Sequence, residues 1–185
     1  MSDTLTVLTF CGSLRSGSYN ASALRAAQAL APSELRFDAA VFDDLPHYDA
    51  DLQAAGFPAA VERLGTQLRA ADAVLFATPE YNYSVPGALK NAIDWLSRLK
   101  DQPFAGKPAA ILGASMGPVG TARAQYHLRQ IGVFLDLRLM NKPEIMIGSA
   151  QDRFDAQGEL TDAKTRELLG RFMIALRDWT LAQRR

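Results

Sequence analysis

The sequence predicts an α/β fold in which a five-stranded parallel sheet is covered by helices on both faces. Three observations carry that prediction. Short β-rich runs alternate with helical patterns five times along the chain. The best of those runs are apolar at nearly every position, as strands buried on both faces are. No repeat, low-complexity tract or change of composition interrupts the alternation, so the 185 residues read as a single domain, 1–185.

The first strand is Leu5-Thr-Val-Leu-Thr-Phe-Cys11, stopped by Gly12. A loop over 12–20 follows, then an alanine-rich helix from about Ala21 to Ala31 that ends near Pro32. Leu35 to Val41 gives a second strand. The stretch Phe42 to Phe57 carries six aspartate, proline and glycine punctuation points at 43, 44, 46, 49, 51 and 56 and reads as a loop. Pro58 opens a helix whose apolar positions Val61, Leu64 and Leu68 keep helical spacing. Ala73-Val-Leu-Phe-Ala77 is the clearest buried strand. It runs into an aromatic loop, 79–87, and then a helix with Pro86 in its first turn and Leu89, Ile93, Leu96 and Leu99 on one face. Pro108 to Ala114 is the fourth strand, and a helix over about Thr121–Ile131 leads to a fifth between Val133 and Ile147. The last helix, about Thr161 to Ala182, aligns Leu168, Leu169, Phe172, Met173, Leu176 and Trp179.

Composition removes several function classes. Apolar residues make up 48% and charged residues 22%, an ordinary globular balance. Twenty Lys and Arg against 20 Asp and Glu leave no basic surplus for nucleic acid, and no acidic surplus for a carrier that docks by charge. One cysteine, Cys11, cannot form an internal disulfide, and with His47 and His127 it cannot build a metal site. Asp3 stands where a signal peptide needs basic residues, and no run reaches the length of a membrane span. A cytoplasmic protein with no membrane and no nucleic-acid partner is expected.

In a parallel sheet of this kind ligands sit beyond the carboxyl ends of the strands, at the point where the strand order reverses. Three loops meet there. The first holds Ser13, Arg15, Ser16, Ser18, Tyr19 and Asn20 just before a helix N-terminus, so hydroxyls, backbone N–H groups and a guanidinium converge as in a phosphate cradle. It lacks the Gly-Lys-Ser/Thr of a triphosphate loop and the Gly-x-Gly-x-x-Gly of a dinucleotide loop. A single phosphate monoester such as that of FMN suits it, and so does an ordinary Gly/Ser turn. The second loop offers Tyr81 and Tyr83 as covers for a planar ring and Asn82 for its polar edge, as a flavin needs; a half-buried lid or a subunit contact would use the same aromatics. The third, Ser115-Met-Gly-Pro-Val-Gly120, brings glycine backbone to the same place. Cys11 reads as a core residue, His47 as solvated and His127 as a packing or interface residue. No hydrolytic triad is present, and Asp43 and Asp44 are adjacent rather than opposed.

Taken together and in this order, the loops resemble the NADPH-dependent FMN reductase family of flavodoxin-like proteins, and most of all its bacterial chromate reductase/quinone reductase branch. The residues that carry the resemblance are Gly12 to Asn20, the run Thr78-Pro-Glu-Tyr-Asn-Tyr-Ser-Val-Pro-Gly-Ala-Leu-Lys-Asn-Ala-Ile-Asp-Trp-Leu-Ser-Arg98, Gly106-Lys-Pro108, Ser115-Met-Gly117, Tyr126-His-Leu-Arg-Gln130 and Met140-Asn-Lys-Pro-Glu144. The resemblance implies a flavodoxin-like fold with strand order 2-1-3-4-5 and noncovalent FMN. It implies phosphate contacts from Ser13, Arg15, Ser18, Tyr19 and Asn20. Ring contacts are implied for Pro79, Glu80, Tyr81, Asn82 and Tyr83, with Ser115, Met116 and Gly117 on the far side. It further implies a homodimer or homotetramer, with Arg123, Tyr126 and Glu144 similar to polar interface contacts of tetrameric members.

The activity expected on that basis is ping-pong transfer of two electrons from NADH or NADPH through FMN to quinones, with chromate, nitro and azo compounds as further acceptors. The flavin carries the chemistry, so no catalytic side chain and no metal are expected. The competing expectation is a flavodoxin-like electron carrier that holds FMN without turning over NAD(P)H.

Overall fold

A computed structural model describes residues 4–184. Its elements in chain order are β1 (Leu5–Cys11), α1 (Tyr19–Ala29), β2 (Leu35–Ala39), α2 (Ala50–Ala55), α3 (Ala59–Ala70), β3 (Ala73–Ala77), α4 (Gly87–Leu96), β4 (Pro108–Ala114), α5 (Ala122–Phe134), β5 (Arg138–Leu139), β6 (Ile145–Ile147) and α6 (Ala163–Gln183). All pairings between the strands are parallel and the order is β2-β1-β3-β4-β5, with β6 also on β4. This is the 2-1-3-4-5 order of a flavodoxin-like sheet.

Side-chain alternation along the strands sorts the core onto two faces. Leu5, Val7, Leu75 and Leu112 join α1 and α6 through Leu24, Phe172, Met173 and Leu176. Leu8, Phe10, Phe76 and Ile111 join α3, α4 and α5 through Leu64, Ile93, Trp95 and Leu128. The chain steps from β1 outward to β2, then back past β1 to β3. Right-handed crossovers in opposite directions put α1 on one face and α3 on the other. The reversal leaves a crevice between the carboxyl ends of β1 and β3, where the first two loops lie.

Two sequence expectations are corrected here. The stretch 42–57 is not all loop, because Asp49 accepts the Asp51 N–H at 2.8 Å and caps the short α2. No residue of α2 is buried, so it has no apolar stripe for periodicity to reveal. The fifth strand is also two strands. Arg138 and Leu139 pair with Pro108 and Ala109, whereas Ile145 to Ile147 pair with Leu112 to Ala114. Between them, Asn141-Lys-Pro143 leaves the ladder, since proline has no N–H to give it.

Smaller differences lie at the ends. The first helix begins at Tyr19 rather than Ala21, because Ser18 accepts the Ala21 N–H and serves as the cap. The second strand stops at Ala39, and Pro86 occupies the cap of α4 rather than its first turn.

Candidate functional site

The first loop is held in place by its glycine. A Cβ on Gly12 would lie 3.0 Å from Pro86 Cγ, 3.1 Å from Pro79 Cδ and 3.2 Å from Leu89 Cδ2, so a side chain there would push all three neighbours back by a few tenths of an ångström and loosen the packing of the loops after β1 and β3. Gly12 donates its N–H to the Ala77 carbonyl at 2.8 Å. From Ser13 to Asn20, no backbone N–H finds a partner among the described residues. That run of unused donors curls around the positive end of α1, beside the Ser13 and Ser18 hydroxyls and the Arg15 guanidinium.

Asn20 performs a different task with its side chain. Its Nδ2 donates to the Ala114 carbonyl and its Oδ1 accepts the Ala114 N–H, both at 2.9 Å and both buried. The pair bolts the start of α1 to the end of β4. Only the backbone N–H of Asn20 remains for a ligand.

The second loop is built around a tight hairpin. Tyr81 and Ser84 exchange two backbone hydrogen bonds of 3.0 Å. The central residues, Asn82 and Tyr83, have φ of 51° and 68°, the left-handed pair of a type I′ turn. Tyr83 turns away from the crevice and lies beneath Arg123, whose guanidinium carbon is 3.8 Å from the ring centroid. Arg123 Nε donates to Glu80 Oε1 at 2.6 Å, while the N–H groups of Arg123 and Ala124 donate to Oε2 at 3.0 and 3.2 Å. Glu80 therefore caps α5 from outside, where the helix's own Thr121 makes no side-chain cap. His127 Nδ1 meets Ser84 Oγ at 3.0 Å and ties the far side of the hairpin to the same helix.

In the third loop the Ser115 hydroxyl donates back to the carbonyl of Gly120, with the Gly117 carbonyl 3.4 Å away, and the Gly117 carbonyl accepts the Ser149 N–H at 3.1 Å. These bonds fix the loop's curvature and leave Met116 standing out, 64% exposed.

Between the three loops lies a cavity of about 240 Å³. Ser13, Arg15, Ser18, Tyr19 and Asn20 line one end, Pro79, Glu80 and Tyr81 one wall, and Ser115 and Met116 the other. Three residues expected at the site, Asn82, Tyr83 and Gly117, do not line it. Asn82 and Tyr83 form the hairpin turn, and Gly117 serves the third loop's own bonding. Ala114 does line it and was not foreseen; its place as the last residue of β4, directly before Ser115, is the signal that points to it.

Cys11, at the end of β1, donates to the Ser13 carbonyl at 3.5 Å. Burial raises its thiol pKa, and the bonds to Ser13 and Ser18 and the charge of Arg25 offset only part of that rise. It is half-buried behind the first loop rather than in the cavity wall. His47 is exposed, as expected, and no group of residues able to hold a metal occurs among the described residues.

A 2-1-3-4-5 parallel sheet, with a cavity at its point of reversal between three strand-end loops, defines a flavodoxin-like protein with its candidate site at the carboxyl ends of the strands. Residues 5–152 match the family model described as NADPH-dependent FMN reductase, and the chain belongs to that family. It is 61% identical over 179 residues to an NAD(P)H-dependent FMN reductase of Pseudomonas aeruginosa, covering 97% of each chain. It is 56% identical over 168 residues to a quinone reductase of Escherichia coli, covering 89% of each. The solved structure of FerB, a flavoenzyme NAD(P)H:(acceptor) oxidoreductase of Paracoccus denitrificans, superposes with a TM-score of 0.89 at 40% identity, over 97% of this chain and 99% of that one.

Proposed function

We propose that this protein is an FMN-dependent oxidoreductase that takes electrons from NAD(P)H and delivers two at a time to quinones. The observation that carries the reading is the cavity itself: unused backbone donors, two hydroxyls and a guanidinium at one end, and a wall of proline, tyrosine and methionine leading away from them. A flavin mononucleotide has that polarity, a dianionic end and a flat apolar ring, and the residues present fit it. The names of the relatives favour turnover of NAD(P)H over a carrier role.

The chemistry that FMN supplies when bound is two-electron exchange between a nicotinamide hydride and a quinone. The protein's share is positioning and electrostatics. Arg15, Ser13, Ser18 and the N–H groups of Tyr19 and Asn20 hold the phosphate at the helix N-terminus. Pro79, Glu80 and Tyr81 present backbone and ring surface along one wall, kept in place by the Glu80 bonds to α5. Ser115 and Met116 form the opposite wall. Asn82, Tyr83 and Gly117 shape those walls from behind.

Donor and acceptor reach the flavin in turn through the open side of the cavity, in the ping-pong order that this reading assigns. Chromate, nitro and azo compounds are acceptors of the same two-electron kind. Tyr81 and Met116 of the cavity wall are exposed, the same loops also expose Leu14, Tyr83 and Val119, and α5 exposes Tyr126, Val133 and Phe134. Apolar surface of this extent supports a homodimer or homotetramer. Tyr126 donates to Glu144 at 3.2 Å, and this reading gives Arg123, Tyr126 and Glu144 the polar part of that interface. A cytoplasmic location, where reduced nicotinamides are kept, belongs to the same reading.

The test is an anaerobic stopped-flow trace of the FMN-loaded protein mixed with NADPH and then with a benzoquinone. The oxidised flavin band disappears with NADPH alone and returns on adding quinone. A protein that keeps FMN oxidised beside excess NADPH and NADH is a carrier instead.

A further inference from the structure

A second cavity, of about 260 Å³, adjoins the first and shares Arg15 and Tyr19 with it. Its other walls are Ser22 and Arg25 of α1 and the turn 155–158. Arg25 Nη2 donates to Ser22 Oγ at 3.1 Å. Gly158, at φ +78°, closes over both; a Cβ there would stand 2.9 Å from Arg25 Nη2 and 2.7 Å from Ser22 Oγ. The glycine thus keeps open the space into which Arg25 points.

Charge distinguishes this cavity from the rest of the strand ends. Arg123 is neutralised by Glu80, Lys90 by Asp94 and Arg153 by Asp162. Arg15 and Arg25 have no carboxylate within ion-pair distance among the described residues. The acid that shares the cavity, Asp155, spends its Oδ1 on the N–H groups of Gln157 and Glu159, at 2.9 and 2.8 Å, closing the turn. Arg15 also serves the flavin cavity, so the charge left to this side is that of Arg25, beside the half-used Asp155; Glu159 and Arg166 line the adjoining space on the other side of Arg25 and offset one another.

We propose that this cavity is the subsite for the 2′-phosphate of NADPH. The inference rests on the NAD(P)H oxidoreductase reading and deepens it. NADPH differs from NADH only by that phosphate, a group carrying nearly two negative charges with three acceptor oxygens. Guanidinium is the side chain best matched to it. The phosphate is remote from the nicotinamide, so its site belongs beside the flavin cavity and not within it. Arg15 stands between the two cavities and faces the cofactor's phosphate, while Arg25 faces the donor's.

The test is calorimetric titration of the FMN-loaded protein with 2′,5′-ADP and, separately, with 5′-AMP, which differs from it only in lacking the 2′-phosphate. The wild-type protein binds 2′,5′-ADP about tenfold more tightly or better, the worth of one charge-assisted contact. Arg25→Gln removes that difference, and it leaves both FMN affinity, read by quenching of flavin fluorescence, and NADH oxidation unchanged. Equal binding of the two nucleotides by the wild-type protein, or a preference that survives Arg25→Gln, overturns the subsite. Inorganic phosphate binding as tightly as 2′,5′-ADP overturns it too, since the cavity is then a general anion site. Loss of the subsite with FMN binding and NADH oxidation intact leaves the oxidoreductase reading standing, whereas failure to bind FMN removes that reading itself.

Discussion

Glu80 and Arg123 are 43 positions apart in the chain, yet the carboxylate of one forms the cap of the helix that carries the other. The Glu80 side chain is only 8% exposed, and its two oxygens take three N–H donors. The consequence is mechanical: the wall of the cavity formed by Pro79, Glu80 and Tyr81 moves only if the start of α5 moves. Glu80→Ala removes a helix cap and a short charge-assisted bond together. It lowers stability by about 1–3 kcal/mol in chemical denaturation and weakens FMN binding by loosening the wall. Glu80→Gln keeps one acceptor and recovers part of both. Wild-type stability and FMN affinity in Glu80→Ala would show that the cap is idle.

Asn20 gives a second expectation. Its amide satisfies both backbone groups of Ala114 in a buried setting. Asn20→Ala leaves that N–H and C=O without partners, at a cost of about 2–4 kcal/mol. Asn20→Asp can still accept the N–H but cannot donate to the carbonyl, and it adds a negative charge beside the phosphate cradle. Its stability falls at least as far as that of Asn20→Ala in denaturant, because a buried carboxylate then faces the Ala114 carbonyl, and its FMN affinity falls furthest of the three. An Asn20→Asp protein that binds FMN like wild type would remove Asn20 from the neighbourhood of the phosphate.

How far the sequence revealed this arrangement depends on whether a signal was local. β3 and β4 were legible because burial on both faces leaves an uninterrupted apolar run, and Gly12 because a strand stopped there. The first cradle was legible as a cluster of small polar residues ahead of a helix. The bond from Asn20 to Ala114 was not, because the sequence gives a residue type and no partner 94 positions away. The same holds for Tyr83. An aromatic in a ligand loop suggests ring stacking, but the left-handed turn at Asn82 and Tyr83 aims it at Arg123 instead. Asn82 is a residue that tolerates the left-handed region, but Tyr83 stands where glycine usually completes such a turn, so the local pattern only half announced it. The split of the last strand position follows from Pro143, which is visible, but where pairing resumes is set by β4 and is not.

Cys11 provides an expectation with a pH axis. Burial raises its pKa above the ordinary thiol value of 9.0. A raised folded-state value means that the folded protein holds the proton more tightly than the unfolded chain. The stabilisation is fully present below the unfolded thiol's pKa and is lost as pH rises through the folded value. The native protein therefore labels slowly with iodoacetamide at pH 8, and labelling accelerates only at more alkaline pH, whereas the urea-unfolded chain labels readily at pH 8. Equal native and unfolded rates at pH 8 would show that the thiol is open to solvent.

The role of Arg15 separates the phosphate end of the site from the ring end. Its guanidinium lines the cavity beside Ser13 and Ser18, and it has no carboxylate partner among the described residues, so its charge is available to a dianion. Riboflavin presents the same ring as FMN without the phosphate. Arg15→Ala is expected to raise the Kd for FMN by about tenfold to a hundredfold, the range for one or two charge-assisted contacts, and to leave the Kd for riboflavin unchanged. Both constants are read from quenching of flavin fluorescence in the same buffer. The comparison controls for folding, because a collapsed cavity loses both ligands. If the two constants rise together, Arg15 supports the loop through its contact with the Tyr19 ring, 5.7 Å from the guanidinium carbon to the centroid, and the phosphate is held by the backbone donors and the hydroxyls alone.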